Sequence, residues 1–278
     1  MPNSGPVLVK LGGSVITRKQ GESALRPKIL ARLAEEIASV KDVPVVLLHG
    51  AGSYGHPGAA RWKLSTAPET DGETPPASDH LPSVPLSRAR GASIVQYEVR
   101  RLHGSVLQTL LDHGVTPWST PAATIARNRA GELVAFDELV IRDALDRNVV
   151  PVTFGDVVPD ELWGFSILSA DTIAVDLVTK LQPRRVVFVS DVPGILDPAG
   201  GQRPSVIPEA SPALLERLKA PAGTADVTGG IRAKLRAMLA ISALGVDAGL
   251  ISGLSDGTLS RALRGEKVYG TWAEGISP

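Results

Sequence analysis

Residues 45–64 read VVLLHGAGSYGHPGAARWKL, a run of strand-forming residues that breaks into three glycines, Gly50, Gly52 and Gly55, and then into His56 and Pro57. Residues 43–48 carry the apolar run of a buried strand. Glycines let a backbone approach an anion closely, and successive N–H groups at a helix start form a nest at the positive end of its dipole. Pro57 suits the first turn of the following helix, where its missing N–H would have no intrahelical partner. His56 then projects at the nest as a ligand-contacting imidazole, the alternative being a histidine satisfied by backbone. His49, at the strand end, reads as structural.

Gly50 to Gly55 also match G-x-G-x-x-G. A dinucleotide site then needs an acid about 20 residues on, at the end of the next strand. Asp71 has the distance but lies in a Pro-rich segment. A Walker A reading fails because His56 and Pro57 stand where Lys and Ser or Thr should be, which removes the phosphate cation and the magnesium-binding hydroxyl.

Outward from this turn, strands alternate with helices. Residues 7–11, 149–154, 185–190 and 246–251 read as strands, and residues 28–40, 88–113, 137–147, 170–181 and 230–244 as helices. Several strands end in Gly or Asp. The pattern predicts an α/β fold, an αβα sandwich with a mostly parallel central sheet, whose ligands lie beyond the strands' carboxyl ends. Residues 65–86, rich in Pro, Ser, Thr and acids, read as a mobile surface loop or lid, or as an insertion without function.

The 278 residues are 43% hydrophobic, enough for a sizeable core, and Lys plus Arg balance Asp plus Glu at 29 each. That balance argues against a general nucleic-acid or membrane-surface binder. Cysteine is absent, which excludes disulfides, thiolate metal sites and cysteine nucleophiles. Neither a leader nor a run of about 18 apolar residues is visible, so the cytoplasm is the expected location.

Three further segments share the anion-binding chemistry. Lys10 lies inside an apolar strand before Gly12, Gly13 and Ser14, with Lys19 further on. Burying such a lysine is costly unless it meets a counter-charge, which phosphate oxygens would supply; a strand-end lysine reaching solvent is the alternative. Thr228, Gly229 and Gly230 open a helix that carries Lys234, so a capping hydroxyl, exposed N–H groups and a cation cluster at one helix start. Gly155-Asp156, Ser169-Ala170-Asp171 and Ser190-Asp191 each follow a strand or precede a helix, and each acid taken singly reads equally as a turn or helix-start residue.

In this order the segments resemble the amino acid kinase family, and within it the isopentenyl phosphate kinases: K-L-G-G-S-V-I-T-x-K over residues 10–19, H-G-x-G-S-[FY]-G-H over residues 49–56 and D-V-T-G-G-[IM]-x-x-K over residues 226–234. Ala51 departs from the family's glycine triplet but keeps the backbone N–H, and Ala170-Asp171-Thr172 keeps one acid where G-D-D is common. The resemblance implies one domain with an acceptor lobe near residues 1–178 and a nucleotide lobe near 179–278. It implies ATP and Mg²⁺, a homodimer, and transfer of phosphate to isopentenyl phosphate. His56, Ala51, Gly55 and Gly155 would hold the acceptor, and Lys19 would stabilise the phosphoryl group in flight. Lys10, Gly12, Gly13, Ser14, Gly52, Asp191, Gly194, Thr228, Gly229, Gly230 and Lys234 would hold the nucleotide, with Asp171 orienting Lys10 and Lys234. A kinase of a small phosphonate such as fosfomycin shares these motifs. A non-catalytic nucleotide-binding protein is a further alternative.

Overall fold

The computed structural model describes residues 5–18, 24–68, 86–197, 205–218 and 229–276. The first half of the chain holds β1 (Val7–Leu11), α1 (Gly13–Ile16), α2 (Pro27–Ala38), β2 (Val45–His49), α3 (Gly52–Arg61), α4 (Leu86–Asp112), β3 (Pro117–Ser119), α5 (Ala122–Ile125), β4 (Ala126–Arg129), β5 (Glu132–Phe136) and α6 (Leu139–Asp146). The second half holds β6 (Val150–Phe154), β7 (Asp156–Asp160), β8 (Gly164–Leu168), α7 (Ala170–Leu181), β9 (Arg185–Ser190), β10 (Ile195–Leu196), β11 (Val206–Ile207), α8 (Pro212–Arg217), α9 (Gly229–Ala243), β12 (Asp247–Ser252), α10 (Thr258–Leu263) and β13 (Gly270–Ala273).

The central sheet runs β13-β12-β9-β1-β2-β6-β3. Every pairing in it is parallel except β12 with β13 at the edge, as the alternating sequence pattern predicts. The chain leaves β1 toward β2 on one side and later returns to β9 on the other. That reversal opens a crevice at the carboxyl ends of β1, β2 and β9, where ligands of such sheets bind.

Period-two alternation sorts the strand side chains between two cores. Leu8, Val46, Leu48, Val186 and Phe188 pack against α7 and α9 through Ile173, Leu177, Leu235 and Met238. Val7, Val9, Leu11, Val45 and Leu47 pack on the opposite face against α2, α4 and α10 through Leu30, Leu33, Leu102, Val106 and Leu259. Two helical layers therefore enclose the sheet. Lys10 shares the face of Leu8, which points it at α7.

The alternation does not predict a second sheet, ordered β5-β4-β7-β8. It consists of two antiparallel hairpins joined through β4 and β7. Its strands are short, and Asp156, Pro159 and Asp160 interrupt β7, which hides the strand signal. Asp160 organises this layer: fully buried, it accepts hydrogen bonds from the N–H groups of Ala130, Gly131, Leu162 and Trp163 and from the Ser166 hydroxyl. Burial alone would raise its pKa; these donors outweigh that and hold it below the usual carboxylate range.

Pro57 also differs from the sequence reading. Helix α3 starts at Gly52, so Pro57 is its sixth residue and not part of its first turn. The helix begins earlier because Gly52 takes a left-handed φ of 51° that turns the chain directly off β2. The nest therefore lies at residues 51–53, and His56 stands one turn into the helix. Of the 65–86 segment, residues 69–85 lie outside the described residues, as do Lys19 and Thr228.

Candidate active site

The two glycine turns after β1 and β2 touch backbone to backbone. A Cβ at Gly13 would overlap Gly52 N, and one at Gly50 would lie 2.8 Å from Gly13 N. Thr17 joins the turns by donating to Gly13 O at 2.7 Å and accepting from Ser53 N at 3.1 Å. This contact brings the amides at the start of α3 beside the Gly12-Gly13-Ser14 turn. Ser14 in turn donates to Asp191 at the end of β9, 2.7 Å away. Gly194 is required by packing, since a Cβ there would lie 2.6 Å from Val206 and 2.9 Å from Thr271.

Lys10 is buried, and its ammonium lies 2.6 Å from Asp171 in the first turn of α7. Ser169 caps that helix by accepting from Thr172 N at 3.0 Å, which fixes where Asp171 emerges. Burial would raise the Asp171 pKa; the charges of Lys10, Lys234 and His56 outweigh it and hold the carboxyl below its ordinary range. Lys234 is half-buried in the second turn of α9, where it donates to Gly230 O at 3.3 Å.

His56 is exposed on α3, yet close packing of its ring is the largest cause that lowers its pKa, followed by the positive charges of Lys10 and Lys234, with Asp171 opposing. The imidazole is thus neutral near neutral pH and shares one electrostatic neighbourhood with two lysines and one aspartate. Lys10 of β1 and Asp171 of α7 are in contact at the switch point, and His56 of α3 and Lys234 of α9 lie near enough to act on them electrostatically. Gly155 follows β6 directly and donates its N–H to His49 O at 3.0 Å, which places it beside the β2 turn.

A sequence profile of the amino acid kinase family matches residues 5–251. The chain belongs to the amino acid kinase family. Its sequence is 33% identical over 271 residues to the isopentenyl phosphate kinase of Methanothermobacter thermautotrophicus, covering 95% of this chain and 97% of that protein. It is 33% identical over 241 residues to the isopentenyl phosphate kinase of Haloferax volcanii, covering 85% and 88%. A solved isopentenyl phosphate kinase structure superimposes with a TM-score of 0.79 at 29% identity, over 96% of this chain and 99% of that one.

Two features of this amino acid kinase escaped the sequence. Arg100 of α4 pairs with the buried Asp156 at 3.1 Å, and its guanidinium lies 5.9 Å from the Phe154 ring centre. Burial raises the Asp156 pKa against the pull of Arg100. The second is His103 of α4, buried against His49. Both lie inside a 27-residue helix, away from the glycine turns that end the strands, so no spacing rule singles them out.

Proposed function

We propose that this chain transfers the γ-phosphoryl group of ATP to isopentenyl phosphate, giving isopentenyl diphosphate and ADP. The observation that carries this reading is His56 set beside Lys10 and Lys234 at the crevice mouth, directly after a glycine turn. The acceptor is already an anionic oxygen, so no strong general base is needed. The difficulty is holding two polyanions in line, which makes catalysis a matter of positioning and charge neutralisation.

In this reading the neutral His56 donates its N–H to the acceptor phosphate, alongside the amides of Ala51 and Gly55, while Gly155, whose N–H is taken by His49 O, lines the pocket without donating. The arriving phosphate raises the imidazole's proton affinity and so strengthens that bond. Lys10 and Lys234 hold β and γ oxygens of ATP, and Asp171 sets the direction of both lysines. The amides of Gly13, Gly52, Gly229 and Gly230, with Ser14, Asp191, Gly194 and Thr228, complete the nucleotide side; Gly12 lines it without its N–H, which donates to Val189 O. Lys19 stabilises the phosphoryl group in transfer. Residues 1–178 then carry the acceptor and 179–278 the nucleotide.

Among the described residues no group of three His, Asp or Glu side chains is placed to hold a metal. Mg²⁺ would accompany ATP and would neutralise charge on its phosphate oxygens. An apolar tail suits the surroundings of the acceptor turn: Ala51 and Trp62 pack against Leu64, Val95, Val99, Phe154 and Val157. An apolar tail laid over this cluster would gain from it where a small polar phosphonate would not, which is why the reading takes an isoprenoid rather than fosfomycin. The same reading includes a cytoplasmic homodimer. The homodimer is supported by Ile94 and Tyr97, exposed on α4.

A coupled ADP-release assay over isopentenyl phosphate, dimethylallyl phosphate, geranyl phosphate and fosfomycin tests the reading. Isopentenyl phosphate is expected to give the highest kcat/KM. Preference for fosfomycin, or no turnover with any acceptor, would overturn it.

A further inference from the structure

Two buried histidines behind the acceptor turn, and the exposed Ser119 beyond them, have no part in the chemistry above. His49 and His103 are 0% and 5% exposed. His49 Nδ1 lies 3.2 Å from Gly50 O, His49 Nε2 lies 3.0 Å from His103 Nδ1, and His103 Nε2 lies 2.8 Å from the Ser119 hydroxyl. His49 stacks on Phe154 at 5.1 Å between centres, and His103 lies tilted against it at 4.3 Å. Burial keeps both imidazoles neutral, with pKa values lowered to about 4 and about 3.

Neutral rings carry one proton each, which settles the direction of every bond in the chain. A carbonyl can only accept, so His49 Nδ1 bears the proton and donates to Gly50 O. His49 Nε2 is then a bare acceptor, and His103 Nδ1 must donate to it. His103 Nε2 is left to accept from Ser119. The relay runs one way, from the surface at β3 to the Gly50 carbonyl.

That carbonyl belongs to the same trans peptide as the Ala51 N–H, and in a planar trans unit the two point in opposite directions. Holding Gly50 O toward the histidines aims the Ala51 N–H away from them. Gly50 leaves the ψ side of this peptide free to turn, so only the φ of Ala51, -72°, resists its rotation besides the relay. We infer that His103, acting through His49, is a positioning residue that fixes the Gly50–Ala51 peptide with its N–H presented to the acceptor phosphate. This rests on the reading of residues 51–56 as the acceptor site.

Two measurements test it. Long-range ¹H–¹⁵N correlation spectra of the wild-type imidazoles are expected to show the Nδ1–H tautomer for both His49 and His103; an Nε2–H tautomer at either would overturn the relay. In steady-state kinetics, His103→Leu is expected to raise KM for isopentenyl phosphate at least about fivefold while KM for ATP stays within about twofold. His103→Asn, whose amide N–H stands in for Nδ1–H, is expected to bring the acceptor KM back to within about threefold of wild type. An unchanged acceptor KM in a His103→Leu protein that only melts earlier would overturn the positioning role. Should His103→Leu fail to fold, the wild-type spectrum and His103→Asn decide. Failure of the function reading looks different: no wild-type turnover with the Nδ1–H tautomers in place, which removes the acceptor role and leaves the relay.

Discussion

The ammonium of Lys10, on the central strand β1, lies 2.6 Å from the carboxylate of Asp171, at the start of α7. The contact follows from strand alternation, which puts Lys10 on the face that α7 covers, and from the Ser169 cap, which sets where α7 begins. Replacing Asp171 with Asn leaves Lys10 buried without its counter-charge. Removing one partner of a buried pair costs about 3 kcal/mol. The variant is expected to melt earlier, and to lose activity through misdirected lysines. ATP should restore more of its thermal stability than it adds to wild type, since phosphate oxygens replace the lost carboxylate. Differential scanning fluorimetry with and without ATP checks this. The folded Asp171 pKa is depressed, so its contribution to stability is full above the ordinary carboxylate value of about 4 and is lost as pH falls through the lower folded value. Asp171→Asn should remove that part of the acid dependence.

His49 and His103 make a separate contribution at milder acidity. The unfolded chain takes up a proton on each as pH drops below about 6.5, whereas the folded protein resists until about 4 and about 3. Stability therefore falls with pH over that window, by about 2 kcal/mol per histidine between pH 6.5 and pH 5. Urea unfolding at pH 7 and pH 5 measures the loss, and in His103→Leu the slope is expected to be roughly half as steep.

Two glycines give opposite outcomes. At Gly13 an added methyl overlaps the Gly52 backbone, and Gly13→Ala is expected to force the two phosphate turns apart and lower kcat/KM for both substrates. At Gly104, inside α4, an added methyl meets nothing within 4 Å. Gly104→Ala is expected to raise stability by about 0.5–1 kcal/mol with kinetics unchanged. Thermal melts paired with steady-state assays on the two variants test both.

Much of this was legible in the sequence. The buried runs over β1, β2, β6, β9 and β12 and the helical spacing of α2 and α7 predicted the parallel sheet and its two covering layers. The glycine turns, Lys10, His56 and Lys234 stood out because clustered glycines and a lysine in an apolar strand are costly or unusual where they lie, whereas Asp171, an ordinary helix-start acid taken singly, stood out only through the family resemblance. The second sheet was not legible, because its polar strands are held by the buried carboxylate of Asp160, and a lone Asp reads as a turn. Nor was the start of α3 at Gly52, since one positive φ decides it. The relay of His49, His103 and Ser119 depends on three segments meeting in space, and no local pattern announces that.

His56 carries the acceptor assignment. His56→Ala is expected to lower kcat/KM for isopentenyl phosphate at least about tenfold, equivalent to about 1.4 kcal/mol, with KM for ATP little changed. A loss confined to ATP would place His56 on the nucleotide side instead. Unchanged kinetics would return it to a surface histidine.

The most direct measurement is ³¹P NMR of the purified protein with ATP, Mg²⁺ and isopentenyl phosphate. The monoester resonance is expected to give way to the two coupled resonances of a diphosphate ester as ADP appears in equal amount. ATP consumed without that diphosphate, or a monoester left intact while ATP persists, would contradict the assignment.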